Sequence, residues 1–199
     1  MQPTASYVPD DLLWSAFRRG DEQAFAQLYD RYFTVLYQYG FRLSGQEDQT
    51  QDAVQDLFVD LWRTYDRLSD TTSVKFYLFR ALRRRLHQAS VFNQQFIRPA
   101  STSPDGSLWP SVADVETEQI ATESSQQQQR HLHHWLQKLP PRQLEVIQLR
   151  FYDEFNFAQI ADIMAVNEQS VRNLLGRAMH NLRDHLIPLL ATLCLWWVG

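Results

Sequence analysis

"AQIADIMAVNEQSVRNLLGRA", residues 158–178, decides the fold. Ile160, Met164, Val166, Val171 and Leu175 recur at helical spacing, and Ala161 is small where two crossing helices come closest. Asn156 is placed to cap the first helix, with Gln159 three residues on completing a variant of the capping box. Asn167 is placed to cap the second, with Glu168 in its positively polarised first turn. Only Ala165, Val166 and Asn167 remain between the two, the length a helix-turn-helix needs. Upstream, "WLQKLPPRQLEVIQLRFY", residues 135–152, predicts an antecedent helix. Pro141 suits its first turn, and Leu144, Ile147 and Leu149–Phe151 are its candidates for the core.

In that geometry the start of the second helix points at base edges in the major groove of DNA. Gln169, Ser170, Arg172, Asn173, Arg177 and His180 fall outside the apolar stripe. Arg172 suits a bidentate bond to guanine, and Gln169 or Asn173 a bond to adenine, each worth about 1–3 kcal/mol of discrimination. Arg177 and Arg183 lie further along, where phosphate is the nearer target. The competing reading is an ordinary helical hairpin with a solvated polar face. His180 and His185 read as surface groups rather than metal ligands.

The totals sharpen the question, because 19 Lys+Arg stand against 23 Asp+Glu and a net-acidic chain must hold a polyanion. From Thr71 to Ser103 there is no acid, while Lys75, Arg80, Arg83, Arg84, Arg85 and Arg98 are basic. Just before it, Glu47, Asp48, Asp52, Asp56, Asp60, Asp66 and Asp70 face only Arg63 and Arg67. With a screening length of about 8 Å, DNA responds to the local patch rather than to the sum. Six Gly and eight Pro are too few for an all-β chain. The single Cys194 excludes a disulfide framework and a multi-cysteine metal site, so a reducing cytoplasm is expected. The start, "MQPTASYVPDD", lacks the order of a signal peptide. The apolar run "LIPLLATLCLWWV" is interrupted by Pro188 and falls short of the roughly 20 residues of a membrane span, so no stable membrane insertion is expected.

Composition divides the chain. Residues 10–90 and 131–187 carry helical periodicity, whereas Pro99, Pro104, Gly106, Pro110 and the run Gln126–Gln129 mark a linker. No alternating strand pattern and no internal repeat is visible. The expectation is an all-α chain of two small helical domains, 7–95 and 129–187, joined by a flexible linker, 96–128. An apolar tail, 188–199, follows. A flexible stretch over 99–126 has a root-mean-square reach of about 30 Å and a stretched reach near 90 Å.

Within the first block, "EDQTQDAVQDLFVDLWRTYDRL", residues 47–68, places Asp48, Asp52, Asp56 and Asp60 at i, i+4 spacing along about 18 Å of one helix face. Ala53, Val54, Leu57, Phe58, Leu61 and Trp62 fill the other side. The carboxylates repel one another by a few tenths of a kcal/mol per pair. Spacing alone fits a solvated acidic face and a docking strip equally well. "SVKFYLFRALRRRLHQ", residues 73–88, then mixes Phe76, Tyr77 and Phe79 with five basic residues. Aromatic and arginine side chains together suit stacking on unpaired bases and phosphate neutralisation. Helical spacing equally accounts for Phe76, Leu78, Phe79 and Leu82 as core.

Taken in order, "GDEQAFAQLYDRYF", "DAVQDLFVDLW", "FYLFRALRRRL", "LPPRQLEVIQLRFYDEFNFAQIADIM" and "VNEQSVRNLLGRAMHNLR" resemble a bacterial sigma factor of the extracytoplasmic-function (ECF) group of the sigma-70 family, from about Asp11 to Leu186. The resemblance implies that the helix containing Asp52, Gln55, Asp56, Phe58, Asp60 and Trp62 binds the clamp coiled coil of core RNA polymerase. It implies that Lys75, Tyr77, Arg80, Arg83 and Arg84 meet the −10 promoter element. Asn167, Gln169, Ser170, Arg172, Asn173 and Arg177 would meet the −35 element, in a domain that also touches the polymerase flap. Polymerase would then supply most of the affinity for promoter DNA, and an anti-sigma factor is implied as a further partner. Arg84 stands where many relatives carry Asn, Leu174 where a basic residue is frequent, and the tail is an addition. The runner-up is a free-standing helix-turn-helix regulator, which has no need of an acidic docking helix. No Gly-rich phosphate loop, metal-ligand spacing or nucleophile elbow is present, so no enzyme, cofactor or metal is expected.

Overall fold

The computed structural model describes residues 7–93, 136 and 138–197, with the side chains of 89–93 and 184–197 outside the description. Among the described residues the regular structure is helical, with no strand. The chain divides into two units between residues 98 and 99. The expected linker, 96–128, lies outside the described residues.

The first unit holds α1 (Asp10–Phe17), α2 (Glu22–Ser44), α3 (Glu47–Arg63) and α4 (Val74–Asn93). Asp21 starts α2 by accepting from the backbone N–H groups of Gln23 and Ala24 at 2.9 and 3.0 Å. Gly45 ends it at φ 65°, a left-handed conformation that glycine adopts without a Cβ penalty. The short link to α3 is tied by the hydroxyls of Ser44 and Thr50, 2.6 Å apart, and by Thr50 Oγ1 donating to the Gln46 carbonyl at 2.7 Å. Trp14, Phe17, Leu36, Tyr39, Val54, Leu78, Phe79 and Leu82 form a core drawn from all four helices. Each such side chain stabilises the fold by roughly 1.5–3 kcal/mol on burial. Trp14 Nε1 donates to the Ser69 carbonyl and Arg18 Nε to that of Leu68, which fixes the segment between α3 and α4.

The second unit holds α5 (Pro141–Ile147), a π-helical turn over Gln148–Tyr152, α6 (Phe157–Met164) and α7 (Glu168–Trp197). Pro141 sits in the first turn of α5, as expected. Asn156 and Gln159 form the reciprocal capping box at 2.9 and 3.0 Å. Ala165 closes α6 at φ 53°, with the Val166 N–H returning to the Ala161 carbonyl at 2.9 Å. Asn167 Oδ1 then accepts from the Ser170 N–H at 2.7 Å and opens α7. The three-residue turn read from the sequence is therefore the observed one.

One expectation of core is corrected. Leu149 is fully buried, but Phe151 is 57% exposed and Tyr152 is exposed beside it. The π turn, closed by Asp153 N–H on the Gln148 carbonyl at 3.1 Å, is wider than an α turn and swings these two rings out of the stripe.

Candidate polymerase- and promoter-binding surfaces

On α3 the apolar positions go inward as their spacing requires: Val54, Leu57, Phe58 and Leu61 are buried. Asp48, Asp52, Gln55, Asp56 and Asp60 are exposed, and Val59 is open among them. Phe58 leaves the set of surface residues that the resemblance implied. It is 3% exposed, with its ring 4.8 Å from that of Tyr29 and 6.1 Å from that of Phe25, and it serves the core. Trp62 is half-buried in an aromatic cluster, with ring centroids 5.0 Å from Phe25, 5.8 Å from Tyr65 and 6.3 Å from Phe17. The Tyr37 hydroxyl of α2 hydrogen-bonds Glu47, and its pKa is raised by burial and then by the Glu47 carboxylate.

The basic helix α4 buries Val74, Leu78, Phe79, Leu82 and Leu86. Arg80 and Arg84 project from the opposite side, and Lys75 and Arg83 are half-buried. Lys75 Nζ stands 5.9 Å from the Phe79 ring centroid. Tyr77 is half-buried against Trp14, ring centroids 5.2 Å apart, and burial raises its pKa despite the opposing charge of Arg85. Arg85 forms an ion pair with Asp60. The acidic and basic helices therefore meet directly, a contact between residues 25 positions apart that no local spacing displays.

On α7 the residues predicted to face DNA lie on one exposed side: Asn167, Gln169, Arg172, Asn173 and Arg177 are open and Ser170 is half-buried. Val171 and Ala178 are fully buried behind them. The first turns carry two parallel i, i+4 contacts. Arg172 Nη2 donates to Glu168 Oε2 at 2.9 Å, and Gln169 Nε2 to Asn173 Oδ1 at 3.1 Å. The Arg172 guanidinium also lies over the ring of Phe157, 4.6 Å from its centroid. Sequence reasoning missed Phe157 and Arg150, whose guanidinium stands 5.1 Å from the same centroid. Their conjunction is tertiary, so no spacing in the sequence announces it.

The helical unit with an acidic strip and a basic helix, and the helix-turn-helix unit, define a two-part DNA-binding factor built to work with a protein partner. Family comparison gives the class a name. Residues 28–90 match the model of Sigma-70 region 2, and residues 135–184 that of Sigma-70, region 4. The chain is 26% identical over 168 residues to the ECF RNA polymerase sigma factor SigX of Bacillus subtilis (strain 168), spanning 83% of this chain and 84% of that protein. It is 23% identical over 180 residues to the ECF RNA polymerase sigma factor SigK of Mycobacterium ulcerans (strain Agy99), spanning 89% and 94%. The fold is similar to that of CnrH, solved in complex with the cytosolic domain of CnrY (TM-score 0.57, 21% identity, 90% of this chain and 97% of that one). It is also similar to the sigma factor RpoE solved with the anti-sigma factor NepR from Bartonella quintana (TM-score 0.53, 22% identity, 81% and 96%). The chain belongs to the ECF subfamily of the sigma-70 family. It is a non-enzymatic factor that binds core RNA polymerase and directs promoter-specific transcription initiation.

Proposed function

We propose that the two units divide this activity by surface. Residues 7–95 act as the polymerase- and −10-binding domain and residues 129–187 as the −35-binding domain. Asp52, Gln55, Asp56 and Asp60, with the exposed edge of Trp62, form the polymerase-docking face of α3. Arg80 and Arg84 lead the −10 contact, supported by Lys75, Arg83 and Tyr77. Asn167, Gln169, Ser170, Arg172, Asn173 and Arg177 read and grip the −35 element. The observation that carries this reading is that the predicted polar residues of α3 and α7 project outward while their apolar neighbours are buried.

Spacing alone leaves the acidic face open between docking and solvation, and the Sigma-70 region 2 match over 28–90, which contains it, supports docking. The Sigma-70 region 2 match over 28–90 also separates this chain from a free-standing regulator, which needs only a helix-turn-helix. Among the described residues no helix is long and apolar enough to cross a membrane. The proposed cytoplasmic location follows from the partnership with core polymerase. The solved complex of a similar fold with an anti-sigma factor supports an anti-sigma partner here as well.

The test is reconstitution with core polymerase, followed by run-off transcription and sequencing of the transcripts. Asp56→Arg is expected to weaken polymerase association while leaving helix content and melting temperature unchanged. Undiminished association by that variant removes the acidic strip from the interface.

A further inference from the structure

Phe157 opens α6, at the far side of the turn from the helix that faces DNA, and no polar group on it can touch a base. Two cationic side chains from different elements nevertheless converge on its ring. Arg172 of α7 lies 4.6 Å from the centroid, and Arg150 of the π turn lies 5.1 Å away. Each guanidinium is also held at one point by a hydrogen bond. Arg172 Nη2 bonds Glu168 Oε2 at 2.9 Å, and Arg150 Nη1 donates to the Phe155 carbonyl at 3.0 Å. The negative face of an aromatic ring attracts a guanidinium, and a planar fork stacked and bonded at once keeps little rotational freedom. Its remaining N–H groups are then presented in a fixed direction, which lowers the cost of ordering them against a bidentate acceptor.

We infer that Phe157 is a positioning residue for base selection: its ring holds Arg172 in the orientation that reads a guanine edge, with Arg150 as a second cation on the same ring facing the DNA backbone. The inference rests on the reading of α7 as the −35-facing helix. The π turn acquires a purpose in this arrangement, because it carries Arg150 to the ring while Phe151 and Tyr152 turn outward.

The experiment uses holoenzyme formed from core polymerase and the full chain, transcribing a promoter library randomised across the −35 element. Arg172→Ala is expected to erase the preference at one base-pair column. Phe157→Leu keeps an apolar side chain but removes the ring, and is expected to weaken preference at that same column by about 2- to 5-fold. Phe157→Tyr is expected to retain it. The double variant Phe157→Leu/Arg172→Ala is expected to match Arg172→Ala alone, since the ring acts through the arginine. Arg150→Ala is expected to lower output evenly across sequences and reduce the salt slope by about one. If Arg172→Ala changes no column, the reading of α7 itself fails. If Arg172→Ala erases a column that Phe157→Leu leaves intact, the role of Phe157 is overturned. Loss by Phe157→Leu that is uniform across columns and tracks a fall in melting temperature overturns it too.

Discussion

Tyr32 shows how one side chain ties α1 to α2. Its hydroxyl donates to the Asp10 carboxylate, which also receives Arg31, while Arg31 Nη2 reaches the Val8 carbonyl at 2.9 Å. Burial, the bond to Asp10 and the charge of Asp10 all raise the phenol pKa well above its ordinary 10.0. The folded state therefore prefers the neutral phenol. That preference contributes fully below about pH 10 and is lost as pH rises from there through the raised native value. Tyr32→Phe should lower stability at neutral pH by about 1 kcal/mol, the worth of one hydrogen bond. It should also flatten the alkaline fall in melting temperature, leaving the part owed to Tyr37 and Tyr77, both raised as well. Thermal melts of the two proteins across the alkaline range check both parts.

At the scale of the element, two helical glycines separate propensity from packing. Gly40 lies within α2, where an added Cβ would stand 2.8 Å from Thr50 Cγ2 of α3 and 3.2 Å from Leu86 Cδ1 of α4. Thr50 cannot yield easily, since its hydroxyl is bound to Ser44 and Gln46. Gly40→Ala gains about 1 kcal/mol of helix propensity and loses about 1–3 kcal/mol to overpacking, so the melting temperature should fall. Adding Thr50→Ser, which removes the methyl and keeps the hydroxyl, should restore it. Gly176 in α7 has open space at the same point, so Gly176→Ala should stabilise by up to about 1 kcal/mol. What the sequence displayed follows the same division. The caps Asn156 and Asn167, the turn at 165–167 and the inward side of α3 were legible because each depends on neighbours a turn away. The exposure of Phe151 and the two arginines on Phe157 were not. They depend on a π turn and on side chains brought together from different elements.

At the scale of the molecule, the net charge of −4 matters less than where the opposite charges touch. In the first unit the acidic strip ends at Asp60 and the basic helix offers Arg85, and the two form an ion pair. The pair is partly exposed, so its intrinsic worth is about 0–1 kcal/mol, small enough for a partner to displace. Under the proposed assignment, a polymerase surface that engaged Asp60 would release a cation on the helix proposed for the −10 element, and binding to the enzyme and to DNA would be coupled through one contact. Asp60→Asn should mimic that release in the free protein: single-stranded DNA should bind more tightly, with a salt slope steeper by a fraction of one contact. Its association with core polymerase should weaken at the same time. Arg85→Ala should weaken DNA binding and slightly strengthen polymerase association, since Asp60 no longer has a competing partner. Anisotropy titrations of a labelled oligonucleotide over a salt series, set beside polymerase pull-down of each variant, measure both sides. If Asp60→Asn and Arg85→Ala move DNA affinity in the same direction, the ion pair only joins α3 to α4 and transmits nothing.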